Sequence, residues 1–82
     1  MQLHEIPNIK QIAKQYIARN NIINNFVKNL GENKPSIEDI AFIEDNEGIM
    51  RGISFTILTI LGYSTMNGTK QWLKEELEQL AK

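Results

Sequence analysis

The chain has 82 residues and a net charge of −1, with 41% hydrophobic and 23% charged residues, two prolines and no cysteine. This size leaves room for a single domain, 1–82, and the composition excludes a disordered chain. The missing cysteines exclude disulfides and thiolate metal sites and are typical of a reducing compartment, so we expect a cytoplasmic protein. The longest apolar stretch, residues 53–61, is too short to span a bilayer, and we expect no membrane partner.

The first predicted helix runs from about residue 9 to residue 30. Pro7 and Asn8 offer its start, and Gly31 follows its last apolar residue. Asn20 falls in the middle of the apolar side, where it either reaches solvent or fixes the register of a helix–helix seam. At 100° per residue the apolar side chains gather on one side, and they are Ile9, Ile12, Ala13, Tyr16, Ile23, Phe26, Val27 and Leu30.

Two further helices are predicted at about 37–45 and 49–61, separated by Gly48. Ser36 followed by Asp39 predicts a capping box at the first of them. The second is apolar almost all round, and Phe55 and Leu58 lie off its main apolar side. We interpret that main side as core, and it consists of Ile49, Met50, Ile53, Ile57, Ile60 and Leu61.

The fourth predicted helix covers about 65–81 and places Met66, Leu73 and Leu77 on one side. Together the four segments predict an all-α, small four-helix bundle-like domain. The alternative is an α+β fold with a β-hairpin in residues 40–61, because β-branched residues are frequent there.

Residues able to carry out catalysis or hold a metal do not form a recognisable pattern. His4 is the only histidine, and it lies in a terminus that we expect to be frayed. A calcium loop around 44–48 fails because Ile43 and Ser54 would occupy ligand positions. We therefore expect no enzyme activity, no metal and no cofactor.

Apolar side chains in excess of one core indicate a protein interface. Phe55 and Leu58 fall on the second side of the third predicted helix, where Gly52 allows close approach, and Trp72 lies beside Glu76. With Asn20, these residues predict a small non-enzymatic regulator, adaptor or inhibitor that binds a protein partner and forms a homodimer. The richness in isoleucine, asparagine and lysine suggests a bacterial or phage origin, including a mobile element.

A DNA-binding regulator of the helix-turn-helix type is the alternative function. Residues 61–64 resemble the turn of that motif, but the following helix carries Glu75, Glu76 and Glu78, which phosphates would repel. A second nucleic-acid hypothesis uses a polar stripe of the first helix, although such a stripe is more typical of a solvated face. Its members are Lys10, Lys14, Asn21, Asn25 and Lys28.

Overall fold

The chain is all-α over the residues described by the computed structural model, 1–63 and 71–82. No strand occurs in these ranges, so the alternative of a β-hairpin in residues 40–61 is wrong. The elements are a short 3₁₀ helix (Leu3–Glu5) and three α-helices, α1 (Ile9–Leu30), α2 (Ile37–Leu61) and α3 (Gln71–Leu80). The described part of the chain has no helix long and apolar enough to cross a membrane.

Helix α2 runs without interruption through Gly48, where the sequence predicted two helices. Among the described glycines, positive φ is confined to Gly31 and Gly62, at the ends of α1 and α2. A glycine inside a helix costs only about 1 kcal/mol relative to alanine, and the apolar residues that α2 buries beyond Gly48 offset this cost. The prediction of four helices was therefore wrong in the middle of the chain, because one long helix replaces two short ones.

The ends of the helices follow the local chemistry of the sequence. The Ser36 hydroxyl accepts a hydrogen bond from the Asp39 amide at 3.1 Å, and the Asp39 carboxylate accepts one from the Ser36 amide at 2.9 Å. This reciprocal pair is the predicted capping box. Asn8 precedes α1 in a left-handed conformation, and its side chain makes no capping hydrogen bond. The first residues of the predicted fourth helix, 65–70, lie outside the described residues.

The core occupies one end of the molecule. It combines the first half of α1, the second half of α2 and all of α3, with α1 packed against both other helices. Ile6 is also buried and Leu3 packs against the core, so the prediction of a frayed N-terminus was wrong. The fully packed members of the core are Ile6, Ile9, Ala13, Tyr16, Ile57, Leu58, Leu73 and Leu77.

The other end of the molecule is a two-helix hairpin. Helix α3 has 10 residues and α1 has 22, so α3 reaches along about half of α1 at 1.5 Å per residue. Val27, predicted to lie in the core, is consequently 49% exposed. The hairpin is held by the Phe26 and Phe42 rings, whose centroids are 4.6 Å apart, and by a hydrogen bond of 3.1 Å from Arg19 to the Asn46 side chain.

Candidate protein-binding groove

An open groove of about 430 Å³ lies between the first half of α1 and the second half of α2. It is wide enough to expose the backbone of α2, because nothing lies within 4 Å of the position that a Cβ atom on Gly52 would occupy. The side chains that form its walls are mainly isoleucines, namely Ile12 from α1 and Ile49, Ile53 and Ile60 from α2.

The polar groups of the groove are few. Thr56 lines it, but its hydroxyl donates to the Gly52 carbonyl at 2.8 Å within the helix. The other polar side chain of the lining is that of Gln15 on α1. A groove of this composition gains free energy by covering apolar surface, at roughly 25 cal/mol per Å², and offers little to an ionic ligand.

The apolar surface continues from the groove towards the hairpin end. Phe42 lies in line with Ile49 and Ile60 on α2, since residues 7 and 18 positions apart differ by 20° or less at 100° per residue. Ile22 lies in line with Gln15 on α1 by the same spacing, and both Ile22 and Phe42 are exposed. We call the groove together with Ile22, Phe26 and Phe42 the apolar face.

The exposed and buried sides of α2 are reversed relative to the sequence prediction at three residues. Ile49 and Ile60, predicted to be core, are 43% and 47% exposed, whereas Leu58, predicted to be part of the interface, is 1% exposed and belongs to the core. Helix α2 is apolar on most sides, so its own periodicity does not select the side that α1 and α3 cover. Leu58 is therefore not part of any exposed surface.

The remaining residues of the predicted interface lie on different parts of the surface. Phe55 is 56% exposed on α2, about 140° around the helix from Phe42. Trp72 is exposed near the end of α2, where its ring packs at a tilt against the Tyr63 ring with centroids 5.2 Å apart, and Glu76 lines the same shallow depression. Asn20 is half-buried on α1. The structure thus places Trp72 beside Glu76 but assigns Gly52 to the groove.

The polar stripe proposed for nucleic acid is solvent-exposed along α1. All five members are exposed, and helical spacing puts them on the side of α1 that faces away from α2. The helix-turn-helix hypothesis rests on residues 61–64, of which Ser64 lies outside the described residues. Gly62 ends α2 in the left-handed conformation that such a turn requires, and Glu75, Glu76 and Glu78 are exposed on α3.

Sequence reasoning missed the apolar face, although its spacing is present in the sequence. The residues of α2 that form or border it alternate in steps of four and three, which is the spacing of a helix–helix seam. They are Phe42, Asn46, Ile49, Ile53, Thr56 and Ile60. The expected stop at Gly48 divided this pattern into two short segments, and because α2 is apolar on most sides the spacing alone does not show that this side is left uncovered.

Clusters of three or more metal-ligating side chains are not found within residues 1–63 and 71–82. Comparisons of the chain with protein-family models, with curated proteins and with solved structures gave no match.

Proposed function

We propose that this chain is a small, non-enzymatic protein-binding domain that holds an apolar helix of a partner protein on its apolar face. In this role it acts as a regulator, adaptor or inhibitor. The observation that carries the proposal is the open groove of about 430 Å³ whose lining is isoleucine-rich and whose threonine hydroxyl is already hydrogen-bonded. Exposed apolar surface of this kind on a small domain marks a site of protein association.

A helix suits the apolar face better than an extended peptide does. An extended peptide binds through backbone hydrogen bonds to a strand edge, whereas a groove between two helices receives the apolar side chains of a third helix. Gly52 has no side chain and sits in the groove wall, so a partner helix can approach α2 closely there. The alternation of four and three residues along α2 matches the spacing of side chains on such a partner.

Charge favours a protein partner over nucleic acid. The exposed side of α3 carries Glu75, Glu76 and Glu78, which would repel phosphates if this helix entered a DNA groove. The stripe on α1 contributes three lysines and no aromatic side chain for stacking on bases.

Two phenylalanines of α2 offer a matched test of this site. Phe42 is 40% exposed on the apolar face, and Phe55 is 56% exposed on another side of the same helix. Each is replaced in turn by photoreactive p-benzoyl-phenylalanine, and the full chain is irradiated in a nuclease-treated lysate. We expect a discrete protein adduct from position 42 and none from position 55, read by mass spectrometry.

The same pair of variants can contradict the proposal. An adduct that forms at position 55 and not at position 42 would move the interface to the side of α2 predicted from the sequence. Adducts that form in an untreated lysate and not in the nuclease-treated one would instead support the nucleic-acid alternative.

A further inference from the structure

The chain exposes more surface than a compact monomer of its size. Its accessible surface is 5899 Å², whereas a monomeric protein of 9.4 kDa exposes roughly 5000 Å². Its radius of gyration is 14.0 Å, against about 12 Å for a compact domain of this length. The excess of roughly 900 Å² is close to the area of about 800 Å² that each partner buries in a standard protein interface.

We infer that the occupant of the apolar face is a second copy of this chain, packed hairpin against hairpin across a two-fold axis. This inference rests on the proposed function and names its partner. The axis lies between the two faces, perpendicular to the helices, at the level of Ile49. Two α1–α2 hairpins joined in this way form a four-helix arrangement, in which each copy supplies two helices.

The two ends of the apolar face are complementary to each other. At the hairpin end the half-buried Phe26 ring packs at a tilt against the exposed Phe42 ring, and the other end is recessed at Gly52 and Thr56. Phe42 and Thr56 are 14 residues apart, about 21 Å along α2, and Ile49 is midway between them. An antiparallel two-fold pairing therefore sets the aromatic end of each copy over the groove of the other, as a self-complementary interface requires.

The pairing also gives partners to the residues of α1. Arg19 is opposite Asn46 and Phe26 is opposite Phe42, so the level of Ile49 on α2 corresponds to about residue 17 on α1. Two-fold symmetry about that level sets Ile12 against Ile22 of the second copy. It also sets Arg19 against Gln15 of the second copy, whose amide oxygen can accept a hydrogen bond from the guanidinium as the interface loses water.

Charge substitutions at Ile49 test the axis directly. On the axis, Ile49 contacts Ile49 of the second copy. Ile49→Glu therefore brings two carboxylates together, and Ile49→Lys brings two ammonium groups together. We expect sedimentation equilibrium to show twice the chain mass for the wild type, at least a 100-fold weaker dimer for either variant alone, and a restored dimer when the two variants are mixed. Phe55→Glu places the same charge at an exposed apolar position outside the face and should keep the wild-type dimer.

A cysteine at position 49 tests the same axis without placing a charge there, and therefore applies even if the charged variants do not fold. The chain has no cysteine, so Ile49→Cys introduces a single thiol near the axis, which should form a disulfide-linked dimer upon oxidation. Phe55→Cys, away from the axis, should form this product at least ten times more slowly. Equal rates for the two variants would overturn the inference.

The experiments distinguish a wrong occupant of the apolar face from a wrong binding face. A wild-type chain that is monomeric at high concentration, yet gives an adduct with a different protein at position 42, would overturn the second copy as occupant and keep the binding face. A dimer that dissociates with Phe55→Glu and persists with Ile49→Glu would overturn both.

Discussion

Tyr16 is buried where residues of all three helices come together. Its ring belongs to the core, and it borders a depression that Met50 of α2 and Lys74 of α3 also line. Burial raises the pKa of the Tyr16 phenol above the ordinary value of tyrosine, and the negative charge of Glu78 raises this pKa further. The folded chain therefore keeps the phenol neutral at a pH where the unfolded chain begins to ionise it.

The raised pKa of Tyr16 predicts a loss of stability in alkali. Unfolding releases a proton once the pH exceeds about 10, the ordinary pKa of tyrosine, so the free energy of unfolding decreases as the pH rises through the folded pKa. Below about pH 10, the ordinary pKa that applies to the unfolded chain, this contribution is fully retained. We expect Tyr16→Phe to show a shallower decrease than the wild type as the pH rises above about 10, measured by urea unfolding followed by circular dichroism.

The second tyrosine provides the control for this measurement. Tyr63 is exposed at the end of α2, and Tyr63→Phe removes a phenol without removing the buried one. The alkaline slope of Tyr63→Phe should equal that of the wild type. Equal slopes for all three chains would show that ionisation of Tyr16 is not coupled to unfolding.

At the level of single residues, sequence reasoning succeeded where one side of a helix is clearly apolar. Ile9, Ala13 and Tyr16 were predicted as core from the periodicity of α1 and are buried. Sequence reasoning failed on α2, where Leu58 is buried and Ile60 is exposed. The apolar residues of α2 lie on most sides of the helix, so periodicity does not distinguish the buried side. Which of them is covered depends on the positions of α1 and α3, and local periodicity contains no information about either.

Helix α2 shows which signals determine an element and which do not. The Ser36 capping box and the left-handed Gly62 each satisfy backbone groups that a helix end leaves free, so both ends were predictable. Gly48 does not by itself determine a helix end, because glycine occurs both inside helices and at the position that follows a helix. Only the packing of the surrounding residues against α1 decides between the two.

The continuity of α2 makes Gly48 a site for stabilisation. Its backbone is helical, it is exposed, and an added Cβ would meet nothing within 4 Å. Gly48→Ala should raise the free energy of unfolding by about 0.5–1 kcal/mol, since alanine loses less backbone entropy in a helix. Urea unfolding monitored at 222 nm measures this change.

Gly62 is the matched control for Gly48. Its φ of 85° lies in the left-handed region, so Gly62→Ala should lower the free energy of unfolding, by about 1 kcal/mol. If Gly48→Ala also destabilises the chain, α2 does not run continuously through this position in solution.

For the whole molecule, the extended shape and the position of the apolar face have one cause. Helix α3 is short and packs against α1, so it covers the core end of the α1–α2 hairpin and leaves the apolar face open. The sequence indicated an excess of apolar residues and hence an interface. It did not indicate the location, because the uncovered side depends on where α3 docks, and this is a property of the tertiary arrangement.

The proposed burial of that face in a dimer would make thermal stability depend on protein concentration. Folding and association are then linked, and a 100-fold increase in concentration raises stability by about 1.4 kcal/mol per chain, which corresponds to roughly 5–10 °C in Tm for a domain of this size. We expect this rise for the wild type and for Phe55→Glu in circular dichroism melts, and a constant Tm for Ile49→Glu. A constant wild-type Tm over that range would mean that the folded chain gains nothing from a second copy, whereas a rise retained by Ile49→Glu would place the stabilising contact on another surface.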